Sequence, residues 1–284
     1  MSTKVRLLEL ADADGAWNMA LDEALLDGAA AGRSPMTLRF YGWTRPCVSL
    51  GCVQSVADLD LDAVGQAGLP VVRRASGGTA VLHENAIGFS LAIPADSPLA
   101  VRDIVESYRV LGEPVHRALL ALGVEGRLVP PAEAHRGGRP TGLGSSACFA
   151  SLAPYEVTRD GRKVVGTSQI RRRGAILHHV MIPLAFDAPR LAGFLAVESD
   201  DERRELTAYL EARIGAIGPN PPVSPSPRGK GGEIGEVLVA ALISALAEML
   251  DLAPVPGTLT PDEAVAAERL LATKYASDEW TYRR

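Results

Sequence analysis

Arg73-Arg-Ala-Ser-Gly-Gly-Thr-Ala-Val-Leu-His83 is the stretch on which the reading of this chain turns. It leaves a short β-type run, Pro70 to Arg74, and leads into a strand pair, Ala80 to Leu82 and Ile87 to Ile93. A Gly-Gly pair after a strand lets backbone amides come close to a ligand. The two arginines before it add positive charge suited to a phosphate or carboxylate. The stretch is neither a Walker loop nor a GxGxxG fingerprint, so those two nucleotide readings fail. On local pattern the competing reading is a tight turn flanked by two solvated arginines.

Toward the N-terminus, Val5 to Leu10 reads as a first strand. Trp17, Leu21 and Leu25 recur every four residues with Asp22 and Glu23 turned away, which predicts a helix over Gly15 to Asp27. Met36 to Trp43 and Cys47 to Gly51 are β-type runs broken at Arg45-Pro46. Toward the C-terminus, Val101, Ile104, Val105, Tyr108 and Leu111 mark a helix face that continues through Val115, Leu119 and Leu122. Pro114 falls inside it and is expected to kink or split it. Arg136 to Ser146 is a Gly/Pro/Ser loop.

Asp160-Gly161 between two β-type runs is a hairpin signal that pairs Arg159 with Arg162 and Thr158 with Lys163. On the second strand, period-two alternation puts Lys163, Val165, Thr167 and Gln169 on one face. That face is too polar for a closed core and reads as a pocket floor. Gly166 in mid-strand marks close approach of a ligand. Ile176 to Leu184 is a further strand, and Ala188 to Ala196 a short helix. Five prolines between Gly215 and Gly235 mark a linker or exposed loop. Val237 to Leu250 is a patterned helix, after which Pro254 and Pro256 interrupt. Thr260 as N-cap, Pro261 at the first helical position and Glu263 behind it open a last helix. Strands and helices mix without a βαβ rhythm, so the expected class is α+β with a mixed, mostly antiparallel sheet flanked by helices. The expected organisation is a catalytic domain over residues 1–252, with a flexible Pro/Gly segment at 215–235, and a helical tail over 253–284.

Composition narrows the function. Apolar residues at 47% and charged ones at 22% describe an ordinary globule. A net charge of -5 argues against a nucleic-acid partner. Cys47, Cys52 and Cys148 are an odd set without a CxxC pair, which argues against a disulfide framework or a zinc site and fits a reducing cytoplasm better. The N-terminus has no apolar signal region, and Val237 to Leu250 is shorter than a membrane span and contains Glu248, so no membrane role is expected. His178 and His179 are adjacent and point to opposite strand faces, so they form no metal site by themselves. No GxSxG elbow is present.

Cys148 lies in a small polar stretch, Gly142-Leu-Gly-Ser-Ser-Ala-Cys-Phe-Ala150, unlike a core segment. A thiol can hold an acyl group as a thioester, and a nearby ammonium lowers its pKa from about 8.5. Lys163 is the candidate ammonium. Straight strand geometry would hold the two roughly 30 Å apart. The chain must therefore turn back between Cys148 and Tyr155, and Pro154 is the expected breaking point. Otherwise Cys148 is a small apolar filler and Lys163 a strand-edge charge.

Taken together, Arg73 to His83 resembles the RRxSGGxAVxH signature of the lipoate–protein ligase A and octanoyltransferase group. Gly161-Arg-Lys-Val-Val-Gly-Thr-Ser-Gln-Ile-Arg171 followed by Ile176-Leu-His-His179 is similar to its GRKxxGxxQxR…LxH segment. Met19-Ala-Leu-Asp-Glu23, Leu50-Gly-Cys-Val-Gln54 and the ending Lys274-Tyr…Asp278-Glu-Trp280…Arg283-Arg284 also resemble the group. Ser146-Ala-Cys-Phe149 is similar to the cysteine loop of its octanoyltransferase branch. The resemblance implies the biotin/lipoate protein ligase catalytic fold, related to class II synthetases. It implies transfer of octanoyl from acyl carrier protein to a lysine of a lipoyl-domain protein such as the glycine cleavage H protein. It makes Cys148 the nucleophile and Lys163 its electrostatic partner. Arg73, Arg74, Ser76, Gly77, Gly78, Thr79, His83, Gly166, Thr167, Ser168 and His179 are the implied substrate-binding set. No cofactor is needed for thioester exchange; ATP and Mg belong only to the ligase alternative, in which Arg73 and Arg74 serve an adenylate phosphate. Two further alternatives are an octanoyl amidotransferase between lipoyl-domain proteins and a non-catalytic binding module. The usual LxHG reads His178-His-Val180 here, so a valine narrows the room for the acyl tail.

Overall fold

In the computed structural model, which describes residues 2–134, 151–218 and 232–283, the elements follow the order β1 (Thr3–Ala13), α1 (Gly15–Ala30), β2 (Thr37–Trp43), β3 (Cys47–Leu50), α2 (Leu61–Gln66), β4 (Val71–Arg73), β5 (Val81–His83) and β6 (Ala86–Ile93). Then come α3 (Ile104–Ala121), β7 (Arg127–Leu128), β8 (Val157–Arg159), β9 (Arg162–Lys163), β10 (Gly166–Arg172) and β11 (Ala175–Pro183). The chain closes with α4 (Ala188–Gly193), α5 (Asp200–Arg213), α6 (Gly232–Met249), β12 (Leu252–Pro256), α7 (Pro261–Leu270) and α8 (Asp278–Thr281).

Six strands form the main sheet in the order β10-β11-β6-β2-β1-β12. The β10–β11, β11–β6 and β6–β2 pairs are antiparallel, and the β2–β1 and β1–β12 pairs parallel. The class is α+β with a mixed, mostly antiparallel sheet, as expected. Alternation along the central strands divides the core. Leu38, Phe40, Ile87, Phe89, Leu91, Ile93, Ile176, Val180 and Ile182 pack with Leu111, Val115 and Leu119 of α3 and Leu238, Leu242 and Leu246 of α6. On the opposite face Ala92, Ala175 and Leu177 pack with Leu21, Leu25 and Leu26 of α1 and Ala267 of α7. Residues of that second face nearest the middle of the strands are polar or small, and there the site lies. Two three-stranded sheets, β4-β3-β5 and β7-β8-β9, flank it.

The Asp160-Gly161 hairpin forms with the expected register, Thr158 opposite Lys163 and Arg159 opposite Arg162, and both turn residues have positive φ. Three expectations change, and one helix was not anticipated. Pro114 neither ends nor splits α3, which runs on through it with Leu111, Pro114 and Val115 buried; the packing of that face outweighs one missing backbone bond. Pro254 and Pro256 do not interrupt: they lie in β12, an edge strand whose outer side needs no donors. The supposed single face of Lys163, Val165, Thr167 and Gln169 does not exist. β9 ends at Lys163 and β10 begins at Gly166, with Val164 and Val165 buried between them as the chain passes from the small sheet to the main one. Finally, α5 carries only Leu206 and Leu210 as buried residues, too few to show a helical period in the sequence. The Arg136 to Ser146 loop, Cys148 and the greater part of the 215–235 segment fall outside the described residues. Among the described residues no helix is long and apolar enough to cross a membrane.

Candidate functional site

Two cross-strand rows make the floor of a cavity of about 300 Å³. One row reads Arg39–Ser90–His179–Ser168 across β2, β6, β11 and β10; the next reads Tyr41–Gly88–Met181–Gly166. Tyr41, Gly88, Met181, Gly166, His179 and Ser168 all line the cavity. Gly88 is required there by space, because a Cβ would sit 2.7 Å from the Tyr41 ring. Trp43 and Met19 extend the apolar wall.

The Gly-Gly loop between β4 and β5 forms a second wall. Gly78 has φ +95° and passes so close to Gly51 that a Cβ on Gly51 would collide with the Gly78 carbonyl. Arg74 braces this loop from within: it donates to the carbonyls of Ser49, Gly77 and Thr79 and to Ser49 Oγ. Arg73 is fully buried and turns away from the cavity. Its guanidinium donates to the carbonyls of Gly51, Gln54, Trp280, Thr281 and Arg283. Carbonyl partners of this kind are what makes a buried cation tolerable. His83 accepts or donates at Nε2 with Ser49 Oγ at 2.8 Å and stacks on Trp43 with ring centroids 3.9 Å apart. Burial, with Arg74 and His179 acting in the same direction, pushes its imidazole well below the ordinary range, so it is neutral.

Across the cavity Lys163 and Glu156 form a buried ion pair at 2.8 Å. The ammonium also donates to the Ser151 carbonyl at 2.9 Å. Glu156 accepts in addition from the amides of Ala153 and Thr167 and from Thr167 Oγ1. The chain turns back at Pro154-Tyr155, where Tyr155 adopts φ +60° and Glu156 N donates to the Ala153 carbonyl. This turn lies where Pro154 was expected to break the strand, and it brings residue 151 to the Lys163 ammonium.

Behind the floor, Asp22 on α1 is fully buried. It accepts from Arg39 and from Ser90 Oγ, each at 2.8 Å, and its other oxygen lies 3.0 Å from His179 Nε2. Burial alone would raise this carboxyl; Arg39, His179 and Ser90 outweigh it and hold it at about 2. His179 Nδ1 lies 3.3 Å from Ser76 Oγ, which is 3.1 Å from Ser168 Oγ. His178 points to the other face, as alternation requires, and bonds Ser107 Oγ of α3.

Of the residues singled out from sequence, Arg74, Gly77, Gly78, His83, Lys163, Gly166, Thr167, Ser168 and His179 line one cavity. Ser76 stands just behind it, bonded to two of them. Arg73 and Thr79 are not in its wall, and Cys148 lies outside the described residues. Asp22, Ser49, Glu156 and Tyr41 escaped the sequence reading as site residues. Asp22 and Glu23, expected to turn away from the apolar face of α1, are both buried, because Arg39 meets the first and Arg172 and Lys274 meet the second there. Glu156 carried one legible signal, a carboxylate two residues from a Pro break. Among the described residues no cluster of His, Cys, Asp and Glu is arranged to hold a metal ion.

Comparison with known proteins meets this geometry. Over 282 residues the chain is 37% identical to the octanoyltransferase LipM of Kyrpidia tusciae, covering 98% of both chains. It is 36% identical to the LipM of Moorella thermoacetica over 280 residues, again 98% of each. Among solved structures, a bipartite lipoate protein ligase of Thermoplasma acidophilum, described with its E2 lipoyl domain, superposes with TM-score 0.76 at 24% identity, covering 99% of this chain and 97% of that one. LipL1 of P. falciparum, in complex with lipoate, gives TM-score 0.63 at 14% identity over 99% of this chain and 74% of its own; both likenesses are of fold. The model of the lipoyl protein ligase A/B catalytic domain matches residues 14–221. A match over most of the chain, full-length relatives and a ligase-type fold around one lined cavity make this protein an enzyme of the lipoyl protein ligase A/B catalytic-domain family.

Proposed function

We propose that the enzyme moves an octanoyl group from acyl carrier protein, through a thioester on Cys148, to a lysine of a lipoyl-domain protein such as the glycine cleavage H protein. The observation that carries this reading is the bond from the Lys163 ammonium to the Ser151 carbonyl at 2.9 Å. Cys148 is three residues from Ser151 in the sequence, and three residues span at most about 11 Å. The chain reversal that a Cys148–Lys163 partnership needs is therefore already built on the Lys163 side. The full-length relatives named octanoyltransferase support the same reaction class.

Each part of the cavity has work in that reaction. Met19, Tyr41, Trp43, Val180 and Met181 offer an apolar wall to the eight-carbon tail, worth about 0.8 kcal/mol for each CH₂ buried. The Lys163 charge favours a thiolate over a thiol and attracts the acyl carbonyl. Gly77 and Gly78 line the cavity opposite, where their amides suit an oxyanion. A thioester donor needs no nucleotide, and the Arg73 and Arg74 guanidiniums are occupied by backbone carbonyls rather than displayed to a phosphate. Splitting the transfer into thioester exchange and aminolysis is nucleophilic catalysis.

Incubation with octanoyl-acyl carrier protein, without ATP or acceptor, tests this by intact mass. An octanoyl adduct that hydroxylamine removes and Cys148→Ala abolishes is expected. No adduct, together with ATP-dependent labelling of a lipoyl domain from free octanoate, would overturn it in favour of a ligase.

A further inference from the structure

The acceptor lysine poses a problem that the thioester does not solve. Its ammonium must give up a proton before the nitrogen can attack, since a free lysine has a pKa near 10.4. Lys163, ion-paired to Glu156 at 2.8 Å, is placed as a proton-bearing charge. His83 is held neutral by burial and by Arg74, which resists taking up a second proton. A third arrangement stands on the cavity floor. Ser168 Oγ lines the cavity and lies 3.1 Å from Ser76 Oγ. Ser76 Oγ lies 3.3 Å from His179 Nδ1, and His179 Nε2 lies 3.0 Å from the Asp22 carboxylate.

The roles of these atoms follow from what each can do. The Asp22 carboxylate only accepts, so Nε2 of His179 carries the ring hydrogen and Nδ1 is left as the acceptor. Nδ1 therefore takes the Ser76 hydrogen, and Ser76 Oγ is free to accept from Ser168. All donors then point from the cavity toward His179. Asp22 is itself held by Arg39 and Ser90 from neighbouring strands, which fixes the ring in that tautomer. The cross-strand row Ser90–His179–Ser168 sets the spacing on one face of the sheet.

We propose that Ser168, Ser76 and His179 form a proton relay for the aminolysis step, with Asp22 as the positioning residue behind it. The inference rests on the thioester reading above. The amine nitrogen attacks the thioester carbonyl; the C–N bond forms and the C–S bond breaks with its electron pair leaving on sulfur. Before that attack the acceptor ammonium gives one proton to Ser168 Oγ, as the Ser168 proton passes to Ser76 and the Ser76 proton to His179 Nδ1; the second N–H proton, lost as the C–N bond forms, goes to the departing sulfur. The imidazolium faces Asp22 at Nε2 and gives its proton to solvent after the product leaves, so the enzyme ends as it began.

Single-turnover kinetics on the full chain separate the half-reactions. The enzyme is loaded from octanoyl-acyl carrier protein and then mixed with an apo lipoyl domain or, separately, with hydroxylamine. Hydroxylamine is a weak base that is already neutral and needs no relay. His179 and Ser168 also line the cavity, so in His179→Gln and in Ser168→Ala any fall in loading and in hydroxylamine cleavage is expected to be the same for both steps and much smaller than the fall in lysine transfer. Transfer to the lipoyl lysine should fall by about 10²-fold, the usual worth of a positioned base. Ser168→Thr, which keeps the hydroxyl, should restore transfer. Lysine transfer at the wild-type rate in His179→Gln would overturn the relay, as would an equal fall in loading, hydroxylamine cleavage and transfer. Wild-type enzyme that never loads Cys148 would overturn the thioester reading, and the loading step reports that failure separately.

Discussion

Replacing Lys163 by Met leaves the Glu156 carboxylate buried without its cation. The cost expected is about 3–5 kcal/mol, the usual penalty for breaking a buried pair from one side. Adding Glu156→Gln should recover most of it, since the amide can still meet neighbours that the carboxylate now binds, such as the Thr167 amide. Neither variant should form the octanoyl enzyme. Urea unfolding read beside intact mass tells the structural role of Lys163 from its chemical one. His178 offers a second residue-scale outcome. Burial, with Arg171 and His179 acting in the same direction, pushes its imidazole down to about 3, from about 6.5 in an unfolded chain. Below pH 6.5 the unfolded chain binds a proton that the folded one refuses, so this contribution is full above pH 6.5 and is lost as pH falls toward 3. The urea midpoint of His178→Gln should therefore fall less between pH 7 and 5 than that of the wild type. At this scale the sequence was informative: of the nine singled-out residues that line the cavity, the glycine-loop and Lys163 segments contained eight, and His179 is the ninth. Asp22 and Glu156 were missed because a lone carboxylate acquires a role only from the cations and amides folded against it.

At the scale of elements, β6 and α7 make contrasting predictions. A Cβ at position 88 would stand 2.7 Å from the Tyr41 ring, and both residues line the cavity. Gly88→Ala should cost about 1–3 kcal/mol by overpacking. It should also shift preference toward acyl chains shorter than octanoyl, read from kcat/KM with hexanoyl, octanoyl and decanoyl donors. α7 opens with a full capping box: Thr260 accepts from Glu263 N, and Glu263 accepts from Thr260 N. Glu263 further binds Arg6 and Ser34, and these contacts overcome burial to hold its carboxyl at about 2. Thr260→Ala should cost about 1 kcal/mol in thermal unfolding and leave octanoyl transfer unchanged, because no residue of α7 lines the cavity. The cap was legible from Thr260-Pro-Asp-Glu263, since capping chemistry is local. The continuity of α3 through Pro114 and the edge pairing of β12 were not, since both depend on what packs alongside.

For the whole molecule, the C-terminal residues brace the glycine loop through Arg73. Trp280 donates its indole hydrogen to the Arg73 carbonyl at 2.8 Å and lies between Lys274 and Arg283, at 4.0 Å and 3.7 Å from its ring. The carbonyls of Trp280, Thr281 and Arg283 accept from the Arg73 guanidinium in return. Deleting residues 280–284 should strand those buried donors at about 1–3 kcal/mol each. Octanoyl loading should fall with it, although none of the described residues among those deleted, 280–283, lines the cavity. Loading at the wild-type rate in a folded truncation would show that the loop holds its shape unaided.

What the sequence determined by itself were features written in neighbouring residues: the strand runs of β2, β6 and β11, the Asp160-Gly161 turn with its register, the α7 cap, and the order of the family motifs. These depend on dihedral preference and side-chain period, which act over a few residues. Only the tertiary structure decided that Arg39, Ser90, His179 and Ser168 share one row, that Asp22 stands behind it, and that Arg73 serves the tail while Arg74 faces the cavity. Those outcomes follow from strand register and from the burial of charge. A charge removed from water must find its partners wherever the packed chain supplies them, and that position is a property of the whole fold.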